Sequence, residues 1–283
     1  MKNFWVRTAS AAVYASLFLG SVYSGALLDN PFWGNIILTA FALFVTIGCT
    51  FEFYRLIDKQ GASPSRAVGY VVAVAYLFNS SVWWMEYMQP ELSAVLWRVL
   101  PAVVILSVPL TIALQLWGHS KQPFADAAYT LLPALYVASA LGLMNVLHYE
   151  YNILVMCIIM VWTNDCGAYM GGSVFGKHKM WPRHSPGKTW EGTAIGVVTA
   201  ILVGVFVGPL FQTPMQWYDW VALALISGIV GTLGDLSESM LKRSVGVKDS
   251  GNIMPGHGGF LDRFDSLLFI LPAVYAYCIL FKP

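Results

Sequence analysis

This sequence has little charge and almost no excess of either sign. Only 11% of its 283 residues are Asp, Glu, Lys or Arg, and the formal net charge is +1. A soluble domain typically carries about 25% charged residues, so the composition excludes an ordinary soluble protein. A nucleic-acid-binding protein needs a basic face, and a net charge so close to zero argues against nucleic acid as a partner.

Cysteine is also scarce. The four cysteines lie in or beside apolar stretches and lack the C-x-x-C spacing of many zinc and redox sites. We therefore interpret them as small apolar residues. The chain instead has hydrophobic residues in abundance, at 57% of the total.

A membrane-spanning helix needs roughly 20 mostly apolar residues. The sequence contains nine such stretches, so it predicts an all-α, polytopic integral membrane protein with about nine transmembrane helices. The first stretch could also be a signal peptide, but it is long enough to span and more spans follow. The approximate bounds of the predicted spans are 9–28, 31–51, 67–85, 99–118, 125–147, 151–175, 191–212, 218–241 and 264–281.

The distribution of Lys and Arg predicts the orientation of these spans. With the N-terminus in the cytoplasm, 14 of the 16 Lys and Arg residues fall in cytoplasmic segments, and only Arg98 and Lys282 lie outside. Two cytoplasmic segments, 176–190 and 242–263, are then the most polar parts of the second half of the chain. We expect residues 1–150 to be a transmembrane scaffold and residues 151–283 to be the catalytic region.

Two pairs of carboxylates stand out beside the last spans. Asp235 and Glu238 are three residues apart and share a helix face, and Asp262 and Asp265 repeat this spacing after a glycine-rich turn. Carboxylate oxygens suit Mg²⁺, so the four side chains could converge on one cation or on two. Glu238 could instead form a simple ion pair with Lys242, one helical turn away.

Basic residues and glycines accompany these carboxylates. Lys242, Arg243, Lys248 and Arg263 could bind phosphates, or could be the usual positive flank at an anionic membrane surface. Gly258 and Gly259 allow the backbone to approach a ligand closely. His257 lies between Pro255 and these two glycines. It could orient a phosphate, or it could be an ordinary turn residue.

A second polar stretch lies around residues 162–192. Asp165 is an ionisable group near the end of a predicted span, which makes it a candidate functional residue. Ser185 and Lys188 lie in a short turn ahead of a helix and could bind phosphate. The glycines between Gly167 and Gly176 favour close helix packing, and Glu191 could be a simple acid at a helix N-terminus.

The two stretches together resemble the phosphatidate cytidylyltransferase (CDP-diacylglycerol synthase) family. The family pattern S-x-x-K-R-x4-K-D-x5-P-x-H-G-G-x-x-D-R-x-D is matched from Ser239 to Asp265, including Asp249. The upstream elements D-x-x-A-Y and S-P-x-K-T-x-E-G are matched from Asp165 and from Ser185. The resemblance is strong over about 162–270, whereas residues 1–150 agree only in having several spans.

The resemblance implies a membrane enzyme that converts CTP and phosphatidate into CDP-diacylglycerol and pyrophosphate with a divalent cation, Mg²⁺. It also implies an inner-membrane location, an active site on the cytoplasmic side and a plausible homodimer. A CTP-dependent lipid kinase and an ion-coupled transporter are the alternatives. The expected catalytic residues are Lys188, Asp235, Asp262, Arg263 and Asp265. The expected substrate-binding residues are Asp165, Ser185, Lys242, Arg243, Lys248, Asp249, His257, Gly258 and Gly259, and the expected metal ligands are Asp235, Glu238, Asp262 and Asp265.

Overall fold

The computed structural model describes residues 2–81, 90–211, 213–253 and 258–282. Within them every regular element is a helix apart from one short hairpin. Seven helical stretches are long and apolar enough to cross a membrane, which confirms the prediction of an all-α polytopic membrane protein. Their bounds are Pro31–Asp58, Glu91–Trp117, Pro123–Tyr149, Leu154–Phe175, Trp190–Leu210, Trp217–Ser244 and Leu261–Phe281.

The other two predicted spans fall on shorter or only partly described helices. The span predicted at 9–28 is divided between the helix Lys2–Val22, of which Ala12–Val22 is a short apolar stretch, and the short helix Ser24–Leu27. The span predicted at 67–85 coincides with the helix Arg66–Ser81, and its last four residues lie outside the described part of the chain. These two crossings therefore stay predictions.

The chain forms two compact units. The first contains residues up to Val146 together with the later segment Asp249–Arg263. Its helices α1 to α7 are Lys2–Val22, Ser24–Leu27, Pro31–Asp58, Arg66–Ser81, Pro90–Leu114, Pro123–Pro133 and Ser139–Gly142. A π-helical turn connects the last two of these, and helix α8 (Met144–Tyr149) follows at the edge of the unit.

Helix α3 runs through the buried core of the first unit. It begins with Asn30, whose side-chain oxygen accepts a hydrogen bond from Phe32 N at 3.1 Å and caps the free end of the helix. Near its other end, the buried hydroxyl of Tyr54 donates to Thr130 O at 2.9 Å. Buried polar contacts of this kind fix α3 relative to its neighbours, because an unpaired polar group in an apolar core is costly.

The second unit contains Leu147–Lys248 and Phe264–Pro283. Its helices α9 to α13 are Leu154–Phe175, Trp190–Val207, Trp217–Leu225, Gly231–Ser244 and Leu261–Phe281, of which the last begins in the first unit. A π-helical turn, Ile226–Val230, joins α11 to α12. The span predicted at 218–241 therefore has an irregular backbone near its middle, and such turns often occur at functional sites.

Glycines let α9 and α10 pack closely in the second unit. A Cβ atom at Gly167 would lie 2.6 Å from Thr199 Oγ1, and one at Gly171 would lie 2.6 Å from Ile195 Cδ1. A Cβ at Gly196 on α10 would likewise approach Asn164 O to 2.6 Å. This confirms the interpretation of Gly167 and Gly171 as packing residues, since a larger side chain would force the helices apart.

The polar segment 176–190 forms a hairpin that the sequence did not predict. Strands β1 (Lys179–Trp181) and β2 (Ser185–Thr189) pair in antiparallel fashion, with an irregularity in the register. Glu191 at the start of α10 fixes the base of the hairpin, because its carboxylate accepts hydrogen bonds from the backbone N–H of Lys177 and of His178, at 3.2 Å each. The role expected for Glu191 as an acid at a helix N-terminus thus includes bonding to the preceding segment.

Candidate active site

A cavity of about 510 Å³ lies within the second unit, between α9, the hairpin, α10 and α12. Its volume is in the range of small-molecule binding sites. The lining carries carboxylates, lysines and many hydroxyl groups, which is unusual for a membrane helix bundle. The lining residues are Asn164, Asp165, Ala168, Tyr169, Gly172, Ser173, Lys179, Ser185, Gly187, Lys188, Thr189, Thr193, Thr232 and Asp235.

The cavity brings together residues from both polar stretches of the sequence. Lys188 Nζ on β2 lies 2.7 Å from Asp235 Oδ2 on α12. The Lys188 side chain is 24% exposed and that of Asp235 is 35% exposed, so a ligand in the cavity can reach both. The other oxygen of Asp235, Oδ1, accepts a weak hydrogen bond from Ser239 Oγ at 3.3 Å.

Two further predicted carboxylates lie near Asp235. Asp165 on α9 lines the cavity, and its Oδ1 lies 3.4 Å from Asn164 Nδ2. Asp265 on α13 is close enough to Asp235 and to Asp165 for their charges to act on it. Asp265 Oδ1 also accepts a short hydrogen bond of 2.6 Å from the backbone N–H of Ser266. The second unit therefore gathers three of the predicted acidic residues in one region.

Glu238 and Lys242 form the ion pair that the sequence allowed. Glu238 Oε2 lies 2.5 Å from Lys242 Nζ, and the Glu238 side chain has no exposed surface. Lys242 also acts on Asp265 through its charge. Lys242 thus lies between acidic groups in the interior, and the alternative assignments of Glu238 to a metal and of Lys242 to a phosphate stay predictions.

Three of the remaining predicted residues, Arg243, Lys248 and Asp249, are exposed. Arg243 Nη1 donates to Val247 O at 2.6 Å, which ties the end of α12 to the following turn. Lys248 is exposed, as is Asp249, the first residue of the loop that belongs to the first unit. Ser185 is half-buried in the cavity lining.

The glycine-rich part of the motif is built around Asp262 in the first unit. Asp262 Oδ2 accepts hydrogen bonds from Ser250 N at 2.9 Å, from Ser250 Oγ at 2.8 Å and from Gly259 N at 2.8 Å. Gly258 has φ of +82°, a conformation that favours glycine. A Cβ there would also lie 2.6 Å from Asp262 Oδ2. The backbone at Gly258 therefore has a conformation that glycine adopts readily, and it passes close to the Asp262 carboxylate.

Arg263 follows Asp262 and is exposed. His257 lies outside the described residues, so the expectation for it stays a prediction. Glu52 on α3 also contacts this loop, and it was not among the residues predicted from the sequence. The signal that could have identified Glu52 is an ionisable residue that interrupts the long apolar stretch of α3. Lys179 and Asn164 in the cavity lining were missed as well, because nothing in their spacing marks them.

The carboxylates of the second unit can be tested for their fit to a metal ion. Among the described residues, no three His, Cys, Asp or Glu side chains are gathered into a metal site of their own. Mg²⁺ does not need such a cage, since it is commonly bound by one or two carboxylates together with substrate phosphates and water. Asp235 and Asp265 fit that requirement, because their helices pack closely: a Cβ at Gly234 would lie 2.6 Å from Asp265 O.

Comparison with known proteins decides the family. The model of the cytidylyltransferase family matches residues 5–281, which is nearly the whole chain. The chain belongs to the cytidylyltransferase family. It is therefore a nucleotidyltransferase of the membrane, and the alternatives of a lipid kinase and a transporter receive no support.

Individual relatives of this cytidylyltransferase carry a more specific name. A phosphatidate cytidylyltransferase of Staphylococcus epidermidis is 31% identical over 273 residues, which is 94% of this chain and 96% of the relative. One of Staphylococcus aureus is 31% identical over 272 residues with the same coverage. One of Bacillus subtilis is 36% identical over 184 residues, or 64% of this chain and 68% of the relative.

Proposed function

We propose that this cytidylyltransferase transfers the cytidylyl group of CTP to phosphatidate, which yields CDP-diacylglycerol and pyrophosphate in phospholipid biosynthesis. One observation carries the proposal: Asp165, Ser185, Lys188 and Asp235, from three separate parts of the chain, line one cavity. The names of the relatives supply the lipid substrate, and the family supplies the nucleotide.

The cavity has the chemistry that a nucleoside triphosphate requires. Lys188 and Lys179 provide positive charge for the phosphates, and the hydroxyl groups of Thr193 and Thr232 are hydrogen-bond donors. Charged donors bind phosphate more strongly than neutral ones. The cavity also contains carboxylates, which would repel a triphosphate unless a cation accompanied it.

In the proposed reaction, a phosphate oxygen of phosphatidate attacks the α-phosphorus of CTP. A new P–O bond forms, the bond from the α-phosphorus to the β-phosphate oxygen breaks, and pyrophosphate leaves. No general base is needed because the phosphate is already ionised at neutral pH. Lys188 stabilises the charge that develops on the phosphates, and Asp235 holds Lys188 in place through their ion pair.

We assign Asp235 and Asp265 as the residues of the second unit that would hold Mg²⁺. When bound, the cation neutralises phosphate charge and orients the displacement. Asp262 and Arg263 are proposed as further catalytic residues on the family resemblance, and Lys242, Arg243, Lys248 and His257 as phosphate-binding residues on the same ground.

We further propose that the protein lies in the inner membrane with its active site on the cytoplasmic side. The count of Lys and Arg supports this orientation. CTP is a cytoplasmic metabolite and the lipid phosphate lies at the headgroup level, so a site at that boundary meets both. A homodimer rests on the resemblance alone and stays a prediction.

The proposal is tested with purified protein in detergent, phosphatidate, Mg²⁺ and CTP that is labelled separately at the α- and γ-phosphates. We expect α-label in the lipid and release of pyrophosphate. Label from the γ-phosphate in the lipid would instead indicate a lipid kinase. If neither label entered the lipid with folded protein, the cytidylyltransferase proposal for this lipid would be wrong.

A further inference from the structure

Glu52 on α3 is a buried carboxyl group whose hydrogen bonds with other described residues run to the motif loop Asp249–Arg263. Its side chain has no exposed surface. Oε1 accepts from the backbone N–H of Phe260 at 3.0 Å, and Oε2 accepts from the backbone N–H of Leu261 at 2.9 Å. Among the residues that the structure describes, no lysine or arginine forms a salt bridge with it. The cost of burying this group is therefore offset mainly by its contacts with the loop.

The loop fits tightly around the Glu52 carboxyl group. A Cβ atom added at Gly259 would collide with both of its oxygens, and one added at Gly251 would collide with Oε1. Neither glycine has the positive φ that only glycine adopts readily. These positions are therefore explained by close approach to Glu52, which gives a physical reason for the second glycine of the H-G-G element.

Ser250 connects Glu52 to Asp262. Its Oγ lies 2.9 Å from Glu52 Oε2 and 2.8 Å from Asp262 Oδ2, so the single hydroxyl proton is shared between two carboxyl groups. Asp262 in turn accepts from Gly259 N. Glu52, Ser250 and Asp262 thus form one hydrogen-bonded network that connects Ser250, near one end of the loop, with residues 259–261 near the other.

We propose that Glu52 is a positioning residue for the transfer reaction, which acts by holding the loop in the conformation that presents Asp262 and Arg263. This inference rests on the proposed function, because it gives those two residues their role in the reaction. Glu52 itself is not proposed to touch substrate. A displacement of about 1 Å in a catalytic group can lower a rate on the order of a hundredfold, so loss of this anchor is expected to reduce kcat strongly.

Glu52→Gln is the sharpest test variant because it keeps the shape of the side chain. A glutamine has one acceptor oxygen, whereas Glu52 faces a backbone N–H with each of its two oxygens. In either orientation of the amide, its NH₂ group points at a backbone donor. The variant must therefore lose at least one of the two backbone hydrogen bonds, and Glu52→Asp is too short to restore both.

Tyr54→Phe is the matched control. Tyr54 is also buried on α3, and its hydroxyl donates to Thr130 O and not to the loop. The control removes a buried hydrogen bond from the same helix and leaves the Glu52 network intact. Ser250→Ala is a second test variant that keeps Glu52 and removes only the shared hydroxyl.

Hydrogen exchange of peptides from 249–263 and steady-state kinetics are measured on all four proteins. For Glu52→Gln we expect amide exchange in the loop to rise at least tenfold, and kcat to fall on the order of tenfold to a hundredfold. The KM for CTP should change far less, since the cavity residues are untouched. Ser250→Ala should give smaller changes in the same direction, and Tyr54→Phe neither.

Two results would overturn the proposal. One is a Glu52→Gln protein with wild-type kcat and wild-type exchange in the loop. The other is a loss of activity that tracks the melting temperature in the same way for Glu52→Gln and Tyr54→Phe. If the glutamine variant does not fold, Ser250→Ala decides by the same criteria. A wild-type protein without α-label transfer would refute the proposed function, and the exchange measurement would still decide whether Glu52 orders the loop.

Discussion

Replacement of Asp235 by asparagine should show whether this carboxylate is needed for catalysis or only for stability. The substitution keeps the shape of the side chain and removes the charge that pairs with Lys188 Nζ at 2.7 Å. Both partners are a quarter to a third exposed, so solvent screens the pair and its loss should cost no more than about 1 kcal/mol of stability. A change of that size corresponds to only a few degrees in Tm.

The effect on catalysis should be far larger. Asp235 is proposed both to hold Lys188 toward the phosphates and to contribute to the cation site. Loss of one preorganised electrostatic group typically lowers kcat on the order of 10²–10³-fold. Asp235→Asn is therefore expected to keep its fold and to transfer α-label from CTP to phosphatidate at under 1% of the wild-type rate, as an order of magnitude.

Asp58→Asn is the control for this experiment. Asp58 is 39% exposed, close to the 35% of Asp235, and it forms an ion pair with Arg66 in the first unit. We expect wild-type transfer from this control. A double variant, Lys188→Asp with Asp235→Lys, restores an ion pair and should remain inactive. The reasoning is refuted if Asp235→Asn transfers label within about threefold of the wild type, since each factor of ten is about 1.4 kcal/mol of barrier.

Three further outcomes are expected. Gly258→Ala should destabilise the loop by at least about 1 kcal/mol, because Gly258 has a φ of +82° and a Cβ there would crowd Asp262. Faster hydrogen exchange in the loop together with a lower kcat would confirm this. Wild-type exchange and kcat would contradict it. Asp219→Asn should lower Tm and leave kcat of the folded protein unchanged, because the buried Asp219 binds Lys282 at 2.6 Å and Tyr277 at 2.6 Å outside the cavity. The expected loss in the free energy of unfolding is about 2 kcal/mol. A lower kcat at constant Tm would contradict this prediction. Chelation of divalent cations should abolish transfer and added Mg²⁺ should restore it, whereas full activity in excess chelator would contradict the cation assignment.

Local features of the structure could be predicted well. Apolar runs of spanning length gave the polytopic helical class, because the hydrocarbon core of a bilayer demands helices of that length. The ion pair of Glu238 with Lys242 was among the expectations, because residues four apart meet on a helix. Close helix packing at the glycines between Gly167 and Gly176 was also expected, although the partner helix was not.

Contacts between distant parts of the chain could not be predicted from the sequence. Lys188 and Asp235 each stood out by chemistry, but nothing in their spacing told which acid the lysine would meet. The hairpin of β1 and β2 was missed because its two short strands lack the alternating pattern that marks a strand. The π-helical turn Ile226–Val230 was likewise not predicted, because it lies within an apolar stretch that has no distinguishing residue pattern.

The sequence by itself determined the membrane class, the family and the set of charged residues available for catalysis, since hydropathy and motif spacing are properties of the linear chain. Only the tertiary structure decided which of them meet. Glu52 and Phe260 are 208 positions apart and share a buried hydrogen bond. Such a pairing depends on how whole helices pack, and packing is set by the summed shape and burial of many side chains and not by any local pattern.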